Sequence, residues 1–383
     1  MPPEGNFELA DLVVDLIAKS HRLAGMLHPM VQRSIGDLVH SMNCYYSNLI
    51  EGHDTHPRDI DRALAKHYAK EPKKRSLQQE AVAHIEVQRS IDAGNDPQVD
   101  PTTRDYIRWL HRAFCERLPK DLLWVESPDG KKRVEVVPGQ LRDGKVIVGR
   151  HEPPTPHNLE AFLLRFESAY SFAGLSKPAR IIAAGAAHHR LLWIHPFFDG
   201  NGRVSRLMSY AMLSRMGIGS PLWSVARGLA RHVGDYERLL QAADERRAND
   251  YDGRGTLSQK ALVEFCRFFL KVCIDQVDCM GALLQPSELL NRIGIYVAEE
   301  VAAKRMAKGS FTLIREAVLC GEFDRGRASA ITGYGERQAR IVLSALVAQG
   351  ILQSDGPKMP VRLGFPIEVV ERWFPALYPA SAS

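Results

Sequence analysis

HPFFDGNGRVSR, residues 195–206, is the stretch on which the reading of this chain turns. It follows one helical run and opens another. Pro196 disfavours the right-handed helical conformation at His195, so the preceding helix stops near Ile194. Gly200 and Gly202 flank Asn201, and all three tolerate positive φ or a tight approach. Successive backbone N–H groups in such a loop form an anion nest. The helix that starts there adds partial positive charge at its N-terminus. Arg203 and Arg206 lie three apart and share a face of that helix, while Val204, Leu207, Met208, Ala211 and Met212 form an apolar stripe on another face. Two guanidiniums and a set of N–H donors converge on one place, which suits a polyphosphate. Asp199 beside it offers a hard oxygen to Mg²⁺. His195 can take a proton from an attacking hydroxyl. Phosphoryl or nucleotidyl transfer needs these parts.

Other readings of the stretch are weaker. Asp-Gly-Asn-Gly is ordinary turn chemistry anywhere. A calcium loop is excluded, because Arg203 and Val204 stand at the fifth and sixth positions, where an oxygen ligand and a glycine are required. His188, His189 and His195 lack a zinc spacing, and the first two read as packing or helix-surface histidines.

Working outward, most of the chain shows apolar residues three and four apart. Helices are expected at FELADLVVDLIAKSHRLAGML, MVQRSIGDLVHSMNCYYSNLIEG, HPRDIDRALAKHYA and QQEAVAHIEVQRSIDAG, the last closed by Gly94. KEPKKR, 70–75, reads as a polar connector. A second unit begins near Thr102. Within it, RVEVVPGQLRDGKVIVGRHEPPTP alternates and carries Pro and Gly, which predicts short strands joined by a turn. Helices then resume and continue beyond residue 270. Near the end, FTLIREAVL, GRASAITG and GERQARIVLSALVAQG predict three helices, and ILQSDGPKMPVRLGF a hairpin; that order suggests a winged-helix module. The expected division is 1–101, 102–280 and 281–383.

The chain has 383 residues and a formal charge of +5. That balance permits an anionic ligand without arguing for nucleic acid. MPPEGNFELADLV has no basic n-region and does not read as a signal peptide. No apolar run is long enough for a membrane helix. Six scattered cysteines, with no CxxC pair, read as reduced thiols. These features fit a cytoplasmic protein with no membrane partner.

The 195–206 stretch also resembles the Fic family signature, matching it at all eight defined positions: His, Phe, Asp or Glu, Gly-Asn-Gly-Arg and the final Arg. The resemblance covers about residues 104–272. It implies a mainly α fold, a helical bundle with a small β-hairpin flap, joined here to the C-terminal winged helix. It implies His195 as general base, Phe197 as the packed anchor of the loop and Asp199 as the Mg²⁺ ligand. Gly200, Asn201 and Gly202 would cradle the α- and β-phosphates, Arg203 would sit on the phosphate chain and Arg206 would hold the γ-phosphate. The chemistry implied is transfer of AMP from ATP to a Ser, Thr or Tyr hydroxyl of a target protein, docked by strand addition on a flap at 139–149. Doc-type kinases depart from the pattern near Asp199–Gly200, and this chain does not. YERLL and ERRANDY resemble the family's following helix, but the tryptophan often found before its final helix is absent.

A second feature lies upstream. In YYSNLIEG, Glu51 sits at the end of a helix closed by Gly52, where the macrodipole is unfavourable to a carboxylate. Ser47, four residues earlier, shares its face. By itself this is a tolerated surface glutamate. Beside a Fic core, Ser-x-x-x-Glu-Gly resembles the family's inhibitory motif, on a helix at about 35–52. The resemblance implies that Glu51 pairs with Arg206 in the γ-phosphate position. Some relatives with this glutamate also remove AMP.

For the C-terminal module, Arg337, Gln338 and Arg340 would lie on a recognition helix. Acids there nearly balance bases, which argues against a DNA footprint, and wings also dock proteins. The rival reading of the whole chain is a DNA-binding regulator with a nucleotide-sensing core; a homodimer stays open.

Overall fold

The computed structural model describes residues 1–127, 130, 132–218, 221–252 and 255–378. Helices α1 (Phe7–Gly25), α2 (Pro29–Ile50), α3 (Pro57–Leu64), α4 (Pro72–Asp92) and α5 (Arg104–Cys115) come first. An antiparallel hairpin, β1 (Trp124–Glu126) and β2 (Arg133–Glu135), precedes α6 (Leu159–Tyr170), α7 (Lys177–Ile194), α8 (Asn201–Arg215), α9 (Val225–Arg231), α10 (Val233–Asp244) and α11 (Gln259–Leu284). The rest comprises α12 (Pro286–Ala302), α13 (Ser310–Cys320), β3 (Glu322–Phe323), α14 (Ala328–Thr332), α15 (Glu336–Ala348), β4 (Leu352–Gln353), β5 (Val361–Leu363) and α16 (Ile367–Trp373). The starts follow capping rules: Thr103 Oγ accepts from Tyr106 N–H at α5, and Ser176 Oγ accepts from Ala179 N–H at α7. Prolines occupy the first turns of α3, α4, α7 and α12, where the missing N–H costs nothing.

Two compact units are interleaved along the sequence rather than following one another. The first comprises residues 1–19, 43–220 and 224–276; the second comprises 20–42, 221–223 and 277–383. In the first, α8 is the central helix, packed by α4, α5, α7 and α9. It is buried on nearly every side, from Asn201 and Arg203 through Leu213. The sequence predicted an apolar stripe and a polar face. Both faces are inside, because carboxylates and hydroxyls are provided for the arginines. His188 and His189 are both buried; His188 bonds Ser209 Oγ at 2.9 Å and the Tyr236 hydroxyl at 2.7 Å, and His189 bonds Asp244 at 2.8 Å.

In the second unit, α13, α14 and α15 adjoin a three-stranded sheet of order β3-β5-β4. The expected hairpin forms with Leu352 opposite Leu363. A third strand, pairing Phe323 with Val361, was not anticipated. Trp373, Phe374, Leu313 and Ile314 fill the core of this unit.

One expectation is corrected. The strand pair does not lie at 139–149. Val134 of β2 pairs upstream with Val125, and in 139–149 the backbone makes only an isolated bridge, Val148 with His151. Carbonyls of this segment and its neighbours are satisfied by a side chain, Arg142, instead of by a ladder. Among the described residues no helix is long and apolar enough to cross a membrane, and no disulfide joins the six cysteines.

Candidate active site

The loop begins where α7 ends. His195 leaves the helix in the left-handed region, φ 50° and ψ 62°, as the following proline demands some non-αR conformation. For a non-glycine residue this costs about 1–3 kcal/mol. Arg142 holds it there. The Arg142 side chain is buried, and it donates to the carbonyls of His195 (2.7 Å), Gly144 (3.0 Å) and Pro154 (2.6 Å). Its backbone N–H donates to Pro196 O at 3.0 Å. One guanidinium therefore ties the 139–149 segment to the histidine. Arg142→Ala would strand these carbonyls. A loss of about 3 kcal/mol is expected, measured as a lower urea midpoint for unfolding of the first unit; an unchanged midpoint would refute the assignment.

Asn201 pins the next turn of the loop. Its side chain accepts from Phe197 N–H at 3.0 Å and donates to Phe197 O at 2.9 Å. The asparagine side chain is thus spent on the loop itself, which leaves its backbone N–H as the group it can offer an anion. Phe197 is fully buried and stacks on His111, with centroids 3.8 Å apart and planes 4° from parallel. Burial pushes the His111 pKa down to about 4, so the ring is neutral. Its Nδ1 accepts from Gly139 N–H at 2.8 Å, which leaves the proton on Nε2. Gly200, at φ 77°, opens α8, and Asp199 stands exposed at the mouth, its Oδ1 accepting from Gly200 N–H at 2.7 Å.

Both arginines meet carboxylates. Arg206 Nε donates to Ser47 Oγ at 2.8 Å, and its NH2 donates to Ser47 O at 3.2 Å and to the Glu51 carboxylate. A β-carbon built on Gly202 would overlap Glu51 Oε1. The carboxylate therefore lies directly on the α carbon of the nest, with Gly52 (φ 78°) turning the chain just behind it. Burial works against the charge of Glu51, but Arg206 and Arg203 outweigh it and hold the pKa below the usual glutamate value. Arg203 pairs instead with Glu80 of α4, at 2.5 Å, and lies over the Phe114 ring. His53 Nδ1 is 3.1 Å from both Glu80 oxygens and 3.1 Å from Arg203 NH2. The hydrogen bond to Glu80 raises the His53 pKa against the effect of burial, so Nδ1 is read as donor to the carboxylate.

Burial, reinforced by Arg142 and His151, pushes the His195 pKa down to about 4. The imidazole is neutral near pH 7, as a base must be. A cleft of about 730 Å³ opens onto it, lined by Val125, Val134, Lys145, Ile147 and Phe198. Among the described residues, no three His, Cys, Asp or Glu side chains gather into a metal cage; a Mg²⁺ shared with phosphates requires only one or two protein carboxylates.

The stretch that carries this site is similar to known proteins. Residues 101–213 match the Fic/DOC family. This chain is 42% identical over 79 residues to the protein adenylyltransferase Fic of Drosophila erecta, covering 21% of this chain and 16% of that one. Against the Drosophila melanogaster protein of the same name it is 28% identical over 214 residues, 56% of this chain and 39% of that one. The chain thus spans well under half the length of these relatives. A Fic family protein from Desulfovibrio desulfuricans G20 has a similar fold, with a TM-score of 0.51 at 17% identity over 93% of this chain and 96% of that one.

The structure brings His195, Asp199, Gly200, Asn201, Gly202, Arg203 and Arg206 to one place, with Ser47 and Glu51 against them. Sequence reasoning missed Arg142, His111, His53 and Glu80. Glu80 left a trace: polar residues recur at 80, 84, 88 and 92 along an otherwise apolar face of α4.

Proposed function

We propose that this chain transfers AMP from ATP to a Ser, Thr or Tyr hydroxyl of a protein, and that Glu51 holds it in check. The observation that carries the reading is the carboxylate of Glu51 seated on Gly202 and bound to Arg206: an anion already occupies the end of the nest. The names of the Drosophila relatives point to the same reaction.

In this mechanism the phosphate chain lies on the N–H groups of Asn201 and Gly202, and on that of Gly200 once Asp199 Oδ1 releases it. Arg203 compensates the charge of its middle, and Arg206, released from Glu51, takes the γ-phosphate. The target hydroxyl sits in the cleft beside His195. His195 accepts its proton as the oxygen attacks the α-phosphorus; the bond to the β-phosphate oxygen breaks, and pyrophosphate leaves. Asp199 would hold Mg²⁺, which neutralises charge on the phosphates and the leaving group. The 139–149 segment, fixed by Arg142, forms one wall of the target cleft.

The test is intact-mass measurement of Glu51→Gly protein after ATP and Mg²⁺, with and without lysate. A gain of one AMP supports the reading, and a gain of phosphate alone refutes it. A pH profile of the same variant adds a check. A depressed pKa keeps His195 unprotonated as pH falls through 6.5, so kcat/KM should hold there and decline only toward the histidine's own value of about 4. A midpoint at 6.5 or above would contradict the burial-driven shift.

The C-terminal helices and three-stranded sheet are read as a winged helix that docks protein. Exposed Arg337, Gln338 and Arg340 on α15 keep DNA as its second reading, tested by gel-shift titration across salt.

A further inference from the structure

Arg203 is held in an unusual way. It is 5% exposed, and its partner Glu80 is 4% exposed. The bond between them runs from one guanidinium nitrogen, NH2. The Arg203 Nε is buried and makes no hydrogen bond. The planar group is therefore fixed by one carboxylate and by the Phe114 ring beneath it, with His53 donating to the same carboxylate. Glu80 is itself fixed. It stands on the face of α4 that meets α8, and this seam is pinned again at Asp92, which accepts from the Tyr210 hydroxyl at 2.5 Å. Two other carboxylates, Glu51 and Asp199, also act on the charge of Arg203. Without Glu80, Arg203 would be free to turn toward either of them.

We propose that Glu80 is a positioning residue, which keeps the Arg203 guanidinium beside the nest, aimed at the phosphate chain of the nucleotide and away from Glu51 and Asp199. The inference rests on the nucleotide-transfer reading of the loop. Its physical content is preorganisation: a buried pair fixes before binding what would otherwise have to be ordered during it. Glu80 touches no substrate. It acts through Arg203, so the two residues should behave as a unit toward ATP.

The experiment is done in the Glu51→Gly chain with Mg²⁺, measuring ATP affinity by calorimetry alongside kcat and KM for AMP transfer. Glu80→Gln should weaken ATP binding and raise KM by about tenfold, while kcat falls less than about threefold. The Glu80→Gln/Arg203→Ala double variant should bind ATP no more weakly than Arg203→Ala alone, the non-additivity of coupled residues. A purely structural glutamate would give additive losses or leave ATP affinity unchanged, and either result overturns the proposal. If Glu80→Gln does not fold, Glu80→Asp carries the test: it keeps the charge one methylene short, and ATP binding should weaken by at least about threefold; unchanged binding overturns the proposal. Glu80-dependent ATP binding without AMP transfer would overturn the proposed reaction and leave the role of Glu80 standing. Transfer with Glu80-independent binding would do the reverse. No ATP binding by the Glu51→Gly chain would overturn both.

Discussion

Replacing His195 by alanine in the Glu51→Gly background is expected to lower AMP transfer by about 10²–10⁴-fold, the usual contribution of a positioned general base. Three observations set this size. The residue takes a left-handed conformation that the surrounding structure must enforce. Burial keeps its imidazole neutral at pH 7. A cleft of about 730 Å³ opens directly onto it. Neither the nest nor the arginines depend on its side chain, so ATP affinity should change little. Labelled ATP reads the transfer, and calorimetry reads the binding. A variant that transfers AMP at the parental rate would remove His195 from the mechanism. A chain whose ligand-dependent behaviour persists without any transfer would favour the nucleotide-sensing regulator.

The second large effect is at Glu51. Glu51→Gly should raise self-incorporation of AMP at least about tenfold, within the roughly 5–150-fold range of ordinary coupling energies. The carboxylate occupies the space over Gly202 and is bound to Arg206. In the proposed mechanism a triphosphate displaces it before Arg206 reaches the γ-phosphate. Ser47 continues to hold Arg206 Nε when Glu51 is gone, so the arginine stays oriented and the gain should appear in productive transfer. Equal incorporation by parent and variant would end the autoinhibitory reading. Glu51→Gln, which loses the charge and keeps the shape, should lie between the two.

The loop at 195–206 was legible because its constraints are local: a proline, two glycines and a helix start lie within twelve residues. Glu51 became legible only beside that loop, since a helix-end glutamate by itself says nothing about an arginine 155 positions away. Arg142 and His111 were illegible, and Glu80 left only a polar recurrence along α4, for a related reason. Each matters through a partner far along the chain, and a buried arginine whose donors go to carbonyls leaves no charge pattern to find. The strand pair was misplaced because alternation in 139–149 looks the same whether a ladder or a guanidinium satisfies the backbone. The two units interleave, which a reading in chain order does not anticipate.

The bare α carbon of Gly202 makes the routes to loss of control unequal. In the proposed reading Glu51 and the phosphate chain use the same space over it, so a side chain there would expel Glu51 and crowd the phosphate site in the same event. A substitution at position 202 therefore yields a silent protein, never an unrestrained one. Mutations that free the activity while sparing it are expected at the end of α2, at Glu51 and its immediate neighbours, with Ser47 left to hold Arg206. Under selection or random mutagenesis, hyperactive alleles should cluster in that short segment, and alleles in the loop should be null.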